Sequence, residues 1–218
     1  MLGQEIKNLS HNLLLVGGGG HCKSVVDSLL TLNTYDRIGI VDIDATAGTD
    51  DIPVVGTDDD LPKLLSAGWT EAFVAVGSVA NTNSRRRIYE MLKSMGFTIP
   101  IIMDPSAIMA KNADIGEGTY IGKGAIINTR TVIGACAIIN TGVIIEHDCV
   151  IGDLSHISTG SMLCGQVTVG SDSHIGAGSA IRQCINIGDK TVIGAGSAVV
   201  KDIPGGVTAF GNPCRVVG

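Results

Sequence analysis

The chain has 218 residues, of which 21 are acidic and 15 basic, so its formal net charge is −6. Hydrophobic residues make up 44% of it and charged residues only 17%, a balance that excludes an intrinsically disordered chain. The acidic balance also argues against a general binder of nucleic-acid phosphates. Only 3% of residues are aromatic while 30 are glycine, so small aliphatic side chains must fill the interior and the chain must turn often.

Membrane and secretory signals are missing from the sequence. No apolar run reaches the roughly 20 residues of a membrane span, and the segment Met1 to His11 is too polar for a signal peptide. The six cysteines form no CxxC pair, which favours reduced thiols and a cytoplasmic protein. The one cationic cluster, Arg85 to Arg87, is interpreted as the solvated face of a helix.

The first half of the chain alternates short apolar runs with helical patterns. Strands are predicted at 13–16, 37–42, 71–77 and 98–103, an extended piece at 53–56, and helices at 21–32, 58–67 and 84–95. Strands that alternate with helices predict a small parallel sheet with right-handed connections.

A glycine loop, Gly17 to Gly20, follows the first strand and opens the first helix, where free N–H groups bind phosphate. Cys22 stands where a dinucleotide fingerprint needs glycine, so NAD is rejected and a sugar nucleotide is retained. Asp42 ends the second strand, where an acid reaches ribose or base, and Gly77 follows the third strand. The alternative is a tight turn with a structural role only. The candidate substrate-binding residues here are Gly19, Gly20, Asp42 and Gly77.

The second half repeats every six residues. Starting at Ile115 and stepping by six to Val199, all fifteen positions are aliphatic, and many are followed by glycine. This is the signature of a hexapeptide β-helix, in which three hexads form one triangular coil of 18 residues. Five coils stacked at strand spacing give a prism about 25 Å long. Its narrow interior suits aliphatic side chains and excludes rings, whereas a β-sandwich would show a period of two.

The change of composition near Asp104 and Pro105 predicts two domains. Residues 1–104 are predicted to form a Rossmann-like domain that binds a nucleotide sugar. Residues 105–218 are predicted to form the β-helix domain and a C-terminal tail.

The stretch from Asn140 to Gly160 resembles the active-site stretch of bacterial hexapeptide acyltransferases. The resemblance is to the sialic-acid O-acetyltransferase and nucleotide-amino-sugar N-acetyltransferase group, and it covers nearly the whole chain. The opening Val-Gly-Gly-Gly-Gly-His at 16–21, Asp-Pro-Ser-Ala at 104–107 and Gly-Asn-Pro at 211–213 also fit. It implies a left-handed β-helix, a homotrimer, acetyl-CoA between neighbouring prisms and a sugar nucleotide on the N-terminal α/β domain.

The resemblance also implies roles for individual residues. His147 matches the general base, and Asp148 would orient it, although the group more often has Glu at that position and Glu146 is the alternative. Asn140 belongs to the same catalytic stretch, His156 is assigned to acetyl-CoA contact, and His21 to the glycine loop. Gly165 is a candidate oxyanion donor. The remaining positions of the cofactor-binding type are Ala177, Ala195, Pro213 and Arg215.

The spacing of the histidines limits how they can meet. His156 lies nine residues beyond His147, which is half a coil, so the two cannot share a face of one prism. They could meet across an interface between two protomers, which would make a closed trimer useful for catalysis. His174 lies one full coil after His156 and is read as structural or as a pocket wall.

These features together predict an acetyl-CoA-dependent acetyltransferase that acts on the amine of a nucleotide-linked sugar. His147 would take the amine proton in a ternary complex, without a covalent acyl-enzyme and without a metal. One alternative is O-acetylation of sialic acid or a related sugar. Another is a metal lyase of the γ-carbonic-anhydrase type, whose ligand spacing the histidines lack. A third is a non-catalytic trimeric scaffold.

Overall fold

The computed structural model describes residues 11–49 and 51–217. Residues 1–10, most of the segment considered above as a signal peptide, lie outside the described residues. The N-terminal elements are β1 (Asn12–Val16), α1 (Gly20–Leu32), β2 (Arg37–Val41), β3 (Val54–Gly56), a 3-10 turn (Asp58–Asp60), α2 (Leu61–Ser66), β4 (Glu71–Val74) and α3 (Asn83–Met95).

A four-stranded parallel sheet in the order β3-β2-β1-β4 forms the centre of this domain. β1 is buried along its whole length because both of its faces are covered. Leu13 and Leu15 belong to the cluster that includes α1, and Leu14 and Val16 to the cluster that includes α3. A strand covered on both faces is a continuous apolar run, which explains the sequence here.

The prediction of a sheet strand over 98–103 is wrong. Thr98 makes only an isolated bridge to Glu71, and Ile102–Met103 (β5) pairs with the β-helix instead. Pro100 interrupts the run because proline cannot donate to a strand ladder. The fourth strand of the sheet is β3, in the segment predicted only as an extended piece.

A parallel β-helix of two-residue strands follows. After β5 its strands β6 to β21 begin at every sixth residue from Ile108 to Ala198. Fourteen of the fifteen predicted hexad positions, Ile121 to Val199, are at most 1% exposed, and Ile115 is partly buried. β5 and β6 precede the predicted first hexad because Met103 and Met109 continue the six-residue step. The β-helix therefore starts earlier than the aliphatic pattern indicates.

The three sides of the prism differ in what their outward residues contact. The interdomain face (outward residues Ile102, Tyr120, Ile138, His156, His174 and Val192) packs against the N-terminal domain. The aliphatic face carries outward Ile108, Ile126, Ile144, Met162, Ala180 and Ala198. The third face carries outward Asp114, Val132, Val150, Thr168 and Asn186.

The turns between these faces form three corners, each a column of residues 18 apart. The glycine corner joins the interdomain and aliphatic faces (122–124, 140–142, 158–160, 176–178 and 194–196). The histidine corner joins the aliphatic and third faces (128–130, 146–148, 164–166 and 182–184). The clamp corner joins the third and interdomain faces (116–118, 134–136, 152–154, 170–172 and 188–190).

The prediction that the arginine cluster is the solvated face of a helix is wrong for two of its three residues. Arg85 is buried and donates to backbone carbonyls of the clamp corner. Arg86 makes two hydrogen bonds of 2.7 and 2.8 Å to the carboxylate of Asp172, also at the clamp corner. Only Arg87 is mainly exposed, 3.5 Å from Asp58. Two of the three arginines thus tie α3 to the β-helix.

The chain closes with a hairpin of β22 (Thr208–Gly211) and β23 (Cys214–Val216), which extends the interdomain face beyond Val192–Ile193. None of the helices described is long and apolar enough to cross a membrane.

Candidate active site

His147 stands at the histidine corner with its ring half exposed. Its Nδ1–H donates to Asp148 Oδ2 at 2.7 Å. Neighbours along a strand point to opposite faces, but Asp148 has φ +59, a left-handed corner conformation that aspartate tolerates better than most residues. The turn therefore brings two successive side chains to the same side.

The carboxylate of Asp148 is also bound by Arg130, which lies one coil earlier on the same corner. Arg130 Nε is 2.7 Å from Asp148 Oδ1. The hydrogen bond from His147, followed by that from Arg130, lowers the pKa of Asp148. An anionic acceptor at Nδ1 keeps the proton on that nitrogen, which leaves Nε2 of His147 as the free base.

Glu146 does not contact the His147 ring. Its carboxylate accepts a hydrogen bond from Asn128 Nδ2 at 3.2 Å, one coil earlier. Of the two acids that the sequence offered as the orienting group, the structure therefore places Asp148 against the ring. The sequence pattern did not indicate Arg130, although its separation of 18 residues from Asp148 could have revealed it.

Gly165 lies directly above the His147 ring. A Cβ built on Gly165 would be 2.5 Å from His147 Nε2, closer than any side chain allows. The candidate base and the candidate oxyanion donor are therefore next to one another, one coil apart. The imidazole occupies the space that a side chain at position 165 would fill, so a larger residue there would displace the ring.

A second group of polar side chains lies where the interdomain face meets the glycine corner. His156 Nδ1–H donates to the carbonyl of Ser78 at 2.9 Å, and Asn140 Nδ2 donates to His156 Nε2 at 3.2 Å. His174 stacks one coil later in an edge-on arrangement, 4.9 Å from the His156 ring.

Burial keeps these histidines uncharged. Burial lowers the pKa of His156 to about 4 and that of His21 to about 3, with Arg85 adding to both effects, and it also lowers the pKa of His174. Nε2 of His21 and Nδ1 of His174 are buried and have no hydrogen-bond partner among the described residues. Each is therefore a polar atom that a ligand or a water could satisfy.

The four glycines of the loop divide into two pairs. A Cβ on Gly17 would lie 2.4 Å from Val76, and one on Gly18 would lie 2.5 Å from Ala47, so packing requires both to be glycine. A Cβ on Gly19 or Gly20 would meet nothing within 4 Å. Nothing in the described chain demands glycine at these two positions, which leaves the start of α1 open to a ligand.

Asp42 supports this loop. Its Oδ2 accepts from Gly18 N–H at 2.7 Å and its Oδ1 from Asp44 N–H at 2.9 Å. Beside it, a cleft of about 580 Å³ runs between the ends of β1 and β2 and the start of the 3-10 turn. Gly77 lies close by, against the Cβ of His21.

The glycine corner has no side chain at any of its left-handed positions. All five of its left-handed positions are glycine, namely Gly124, Gly142, Gly160, Gly178 and Gly196. The other two corners place residues such as Asp148 and Leu154 in the same conformation, so the backbone alone does not require glycine. Ala177 and Ala195 lie between these glycines, and together they form a narrow track along the edge of the prism.

The C-terminal hairpin lies at the upper end of this track. Gly211 N–H donates to Ser197 Oγ at 3.2 Å, which fixes the hairpin next to Ala195. The peptide bond before Pro213 is cis, and Arg215 Nη1 donates to the Cys214 carbonyl.

Within one protomer the candidate residues form separate groups. His147, Asp148 and Gly165 lie together at the histidine corner, whereas Asn140 and His156 lie together at the opposite edge of the aliphatic face. Within one chain, the ring of His147 therefore lies apart from the rings of His156 and His174. Among residues 11–49 and 51–217, no group of three His, Cys, Asp or Glu side chains is arranged to hold a metal.

Comparisons with known proteins identify the family of the chain. Residues 12–92 match the family model of the PglD N-terminal domain, and residues 166–201 match the hexapeptide repeat of succinyl-transferase. The perosamine N-acetyltransferase PerB of Caulobacter crescentus, solved with CoA and GDP-perosamine, is 35% identical. That match covers 95% of this chain and 97% of PerB, with a TM-score of 0.89.

The chain belongs to the PglD family of hexapeptide-repeat acetyltransferases. A second relative is the acetyltransferase domain of PglB from Neisseria gonorrhoeae, solved with acetyl coenzyme A. It is 34% identical, with 95% of this chain and all of that domain covered and a TM-score of 0.89. WeeI from Acinetobacter baumannii, at 23% identity and a TM-score of 0.84, shares the fold. A search of curated proteins gave no match.

Membership of this family confirms the predicted fold class, a Rossmann-like domain followed by a left-handed β-helix. It also settles the handedness, which the six-residue period left open. The boundary at residue 104 stays a prediction. In the structure β5 already belongs to the β-helix, two residues before that point.

Proposed function

We propose that this protein transfers the acetyl group of acetyl-CoA to the amine of a nucleotide-linked amino sugar. The observation that carries the proposal is the histidine corner, where Asp148 holds the Nδ1 proton of His147 and Nε2 lies over Gly165. The relatives at 34–35% identity support the substrate class, since PerB was solved with CoA and GDP-perosamine and the PglB domain with acetyl-CoA.

The chemistry follows from this arrangement. As the sugar amine attacks the thioester carbonyl, Nε2 of His147 accepts the proton that the amine loses. The C–N bond forms, the C–S bond breaks, and the departing CoA thiolate takes up the proton held by the His147 imidazolium, so that CoA leaves as its thiol. Negative charge develops on the carbonyl oxygen, where the N–H of Gly165 is the proposed donor. Asp148 stabilises the imidazolium that forms during the transfer.

Each substrate is assigned a separate part of the chain. The open start of α1 at Gly19 and Gly20 would bind the phosphates of the sugar nucleotide through backbone N–H groups. The cleft beside Asp42 would take the ribose and base. Acetyl-CoA would lie along the narrow track at Ala177 and Ala195 of the glycine corner. Beyond this track it would lie along Pro213 and Arg215.

We further propose that the protein works as a homotrimer. The outward residues of the aliphatic face form a continuous apolar ribbon, and Met162 in its middle is 46% exposed. The face is flanked by the histidine corner on one side and the glycine corner on the other. Three copies joined around it would bring His147 of one protomer towards the glycine corner of the next, which unites the two groups that one protomer keeps apart.

Acetyl-CoA and sugar nucleotides are cytoplasmic metabolites, and the six cysteines of the chain are free thiols. We therefore assign the protein to the cytoplasm.

The test is an assay with acetyl-CoA and a panel of UDP-, dTDP-, GDP- and CMP-linked amino sugars, with detection of free CoA and mass spectrometry of the product. We expect N-acetylation of one member of the panel. His147→Ala should lower kcat by about 10²–10⁴, the range for loss of a general base. His11→Ala, at the histidine immediately before the central strand β1, is the matched control and should keep the wild-type rate.

Two outcomes would contradict the proposal. Acetylation of a sugar hydroxyl in place of the amine would assign the protein to the O-acetyltransferases. A rate for His147→Ala within tenfold of wild type would show that another group removes the proton.

A further inference from the structure

Arg85, the third residue of α3, is a buried cation whose hydrogen-bond acceptors are all neutral. It is 2% exposed, and its guanidinium donates to Ser78 Oγ at 3.1 Å, to the Leu154 carbonyl at 2.9 Å and to the Cys136 carbonyl. Burial lowers its pKa to about 10, which still leaves it charged at neutral pH. A cation buried without a paired carboxylate is costly, and the three hydrogen bonds of Arg85 offset part of that cost.

The contact with Ser78 leads from Arg85 into the candidate active site. Ser78 is held from two sides, because Arg85 binds its hydroxyl and His156 binds its carbonyl. A carbonyl can only accept a hydrogen bond, so Nδ1 of His156 must carry the proton. Nε2 is then an acceptor, and it faces the amide nitrogen of Asn140.

The amide of Asn140 is fixed by the same logic. Its Oδ1 accepts from the Thr141 N–H at 2.8 Å, so its NH₂ group must point to His156. Arg85, Ser78, His156 and Asn140 are thus connected in series, and the His156 Nε2 left unprotonated by the Ser78 contact accepts from the Asn140 amide. This series runs from the N-terminal domain to the glycine corner.

The loop that contains Ser78 is anchored at its far end, where Thr82 Oγ1 donates to Asp172 Oδ1 at 2.5 Å, whereas its middle is exposed. Residues 75–82 connect β4 to α3, Val79 is exposed, and Ala80 has φ +64, an unfavourable conformation for a residue with a Cβ. The same loop carries Gly77, which abuts His21. Whatever holds Ser78 therefore also sets the distance between the glycine loop and His156.

We propose that Arg85 is a positioning residue that fixes the Ser78 carbonyl and thereby sets the tautomer of His156. The proposal rests on the function given above and on the roles that the family resemblance implies, which are contact with acetyl-CoA for His156 and membership of the catalytic stretch for Asn140. Arg85 itself touches neither substrate.

The experiment compares Arg85→Met with Arg86→Met in the full-length protein. Both arginines tie α3 to the clamp corner, but Arg86 binds Asp172 and touches neither Ser78 nor His156. Kinetics with acetyl-CoA and ¹⁵N NMR of the histidine rings are recorded for each, and the His156 signal is assigned by its loss in His156→Gln. We expect the KM for acetyl-CoA to rise about tenfold in Arg85→Met only.

The NMR spectra supply a readout that a purely structural arginine would not change. Wild type and Arg86→Met should show His156 neutral with the proton on Nδ1, and Arg85→Met should show loss of that single tautomer. Unchanged His156 signals and an unchanged KM in Arg85→Met would overturn the proposal.

A second variant decides the matter if Arg85→Met does not fold. Ser78→Ala removes only the hydroxyl that Arg85 binds, and it should raise the KM about threefold and mix the His156 tautomers. Wild-type behaviour of Ser78→Ala would then overturn the proposal. Because the tautomer is measured without turnover, a protein that acetylated no sugar nucleotide but showed these NMR changes would disprove the function and support the positioning role.

Discussion

At the scale of single residues, the space above the His147 ring is as important as the ring itself. Gly165 leaves room for the imidazole because it has no side chain, and Asp148 turns the ring by adopting a left-handed conformation. The base is therefore oriented from one side by a carboxylate and limited from the other by the backbone of the next coil.

Gly165→Ala tests this limit. The new methyl group would lie 2.5 Å from His147 Nε2, so the ring must rotate and its hydrogen bond to Asp148 must lengthen. We expect kcat to fall about 10- to 100-fold, a part of the effect of losing the base, with the melting temperature nearly unchanged because His147 is half exposed.

Cys164→Ala is the matched control, since Cys164 is the exposed neighbour of Gly165 on the same corner. It should turn over like wild type, and it also tests the expectation that no acyl-cysteine forms. A wild-type kcat for Gly165→Ala would show that the position of the ring does not limit the reaction.

At the scale of secondary structure, the N-terminal sheet is secured by a polar cluster at one end of β1. His11 Nδ1 faces the Thr34 carbonyl at 3.0 Å and Nε2 faces Glu71 Oε1 at 2.8 Å, while its ring stacks on Tyr35. Both ring nitrogens face acceptors, so only the imidazolium satisfies both contacts. The hydrogen bond to Thr34, followed by that to Glu71, raises the pKa of His11.

A raised pKa makes the stability of this cluster depend on pH. The contribution of His11 should be fully present below its ordinary pKa of 6.5 and should be lost as pH rises through the higher value in the folded protein. His11 is about half exposed, so we expect only a few tenths of a kcal/mol.

Melting temperatures of wild type and His11→Gln, measured between about pH 5.5 and pH 8.5, check this prediction. The advantage of wild type should be largest at the acidic end and should shrink towards the alkaline end. An advantage that grows with pH would mean that His11 is neutral in the folded protein.

At the scale of the whole molecule, one face of the prism is apolar and is left uncovered in a single copy. The interdomain face is covered by α1 and its neighbours, and the third face mixes polar and apolar residues. The aliphatic face presents only Ile, Met and Ala outward along its whole length. Apolar surface of this extent is typical of an interface.

Met162→Glu tests the trimer. A carboxylate in the middle of the aliphatic face would be buried without a partner in each of three copies, so we expect the assembly to dissociate and activity to be lost. Light scattering should report about 67 kDa, three times 22.4 kDa, for wild type and 22.4 kDa for the variant. Asn186→Glu, an equivalent change on the third face, should leave a trimer. A wild type of monomer mass would disprove the arrangement.

The local structure of the chain could be predicted from its sequence patterns with little error. Fourteen of the fifteen predicted inward positions are buried, because a hexad and its turn are set by neighbouring residues. The helices at 21–32 and 84–95 were placed within one residue of their observed start. The prediction of a strand at 98–103 was wrong because it gave the apolar pattern more weight than the proline at position 100.

The sequence by itself determined the six-residue coil, the glycine loop and the histidine that follows the aliphatic strand, since each depends on residues adjacent in the chain. Only the tertiary structure decided between Asp148 and Glu146, which depends on the conformation of one corner. It also decided that Arg85 is buried, because its acceptors include two backbone carbonyls 51 and 69 residues away. Every residue has a backbone carbonyl, so no sequence pattern identifies the ones that a buried arginine will bind.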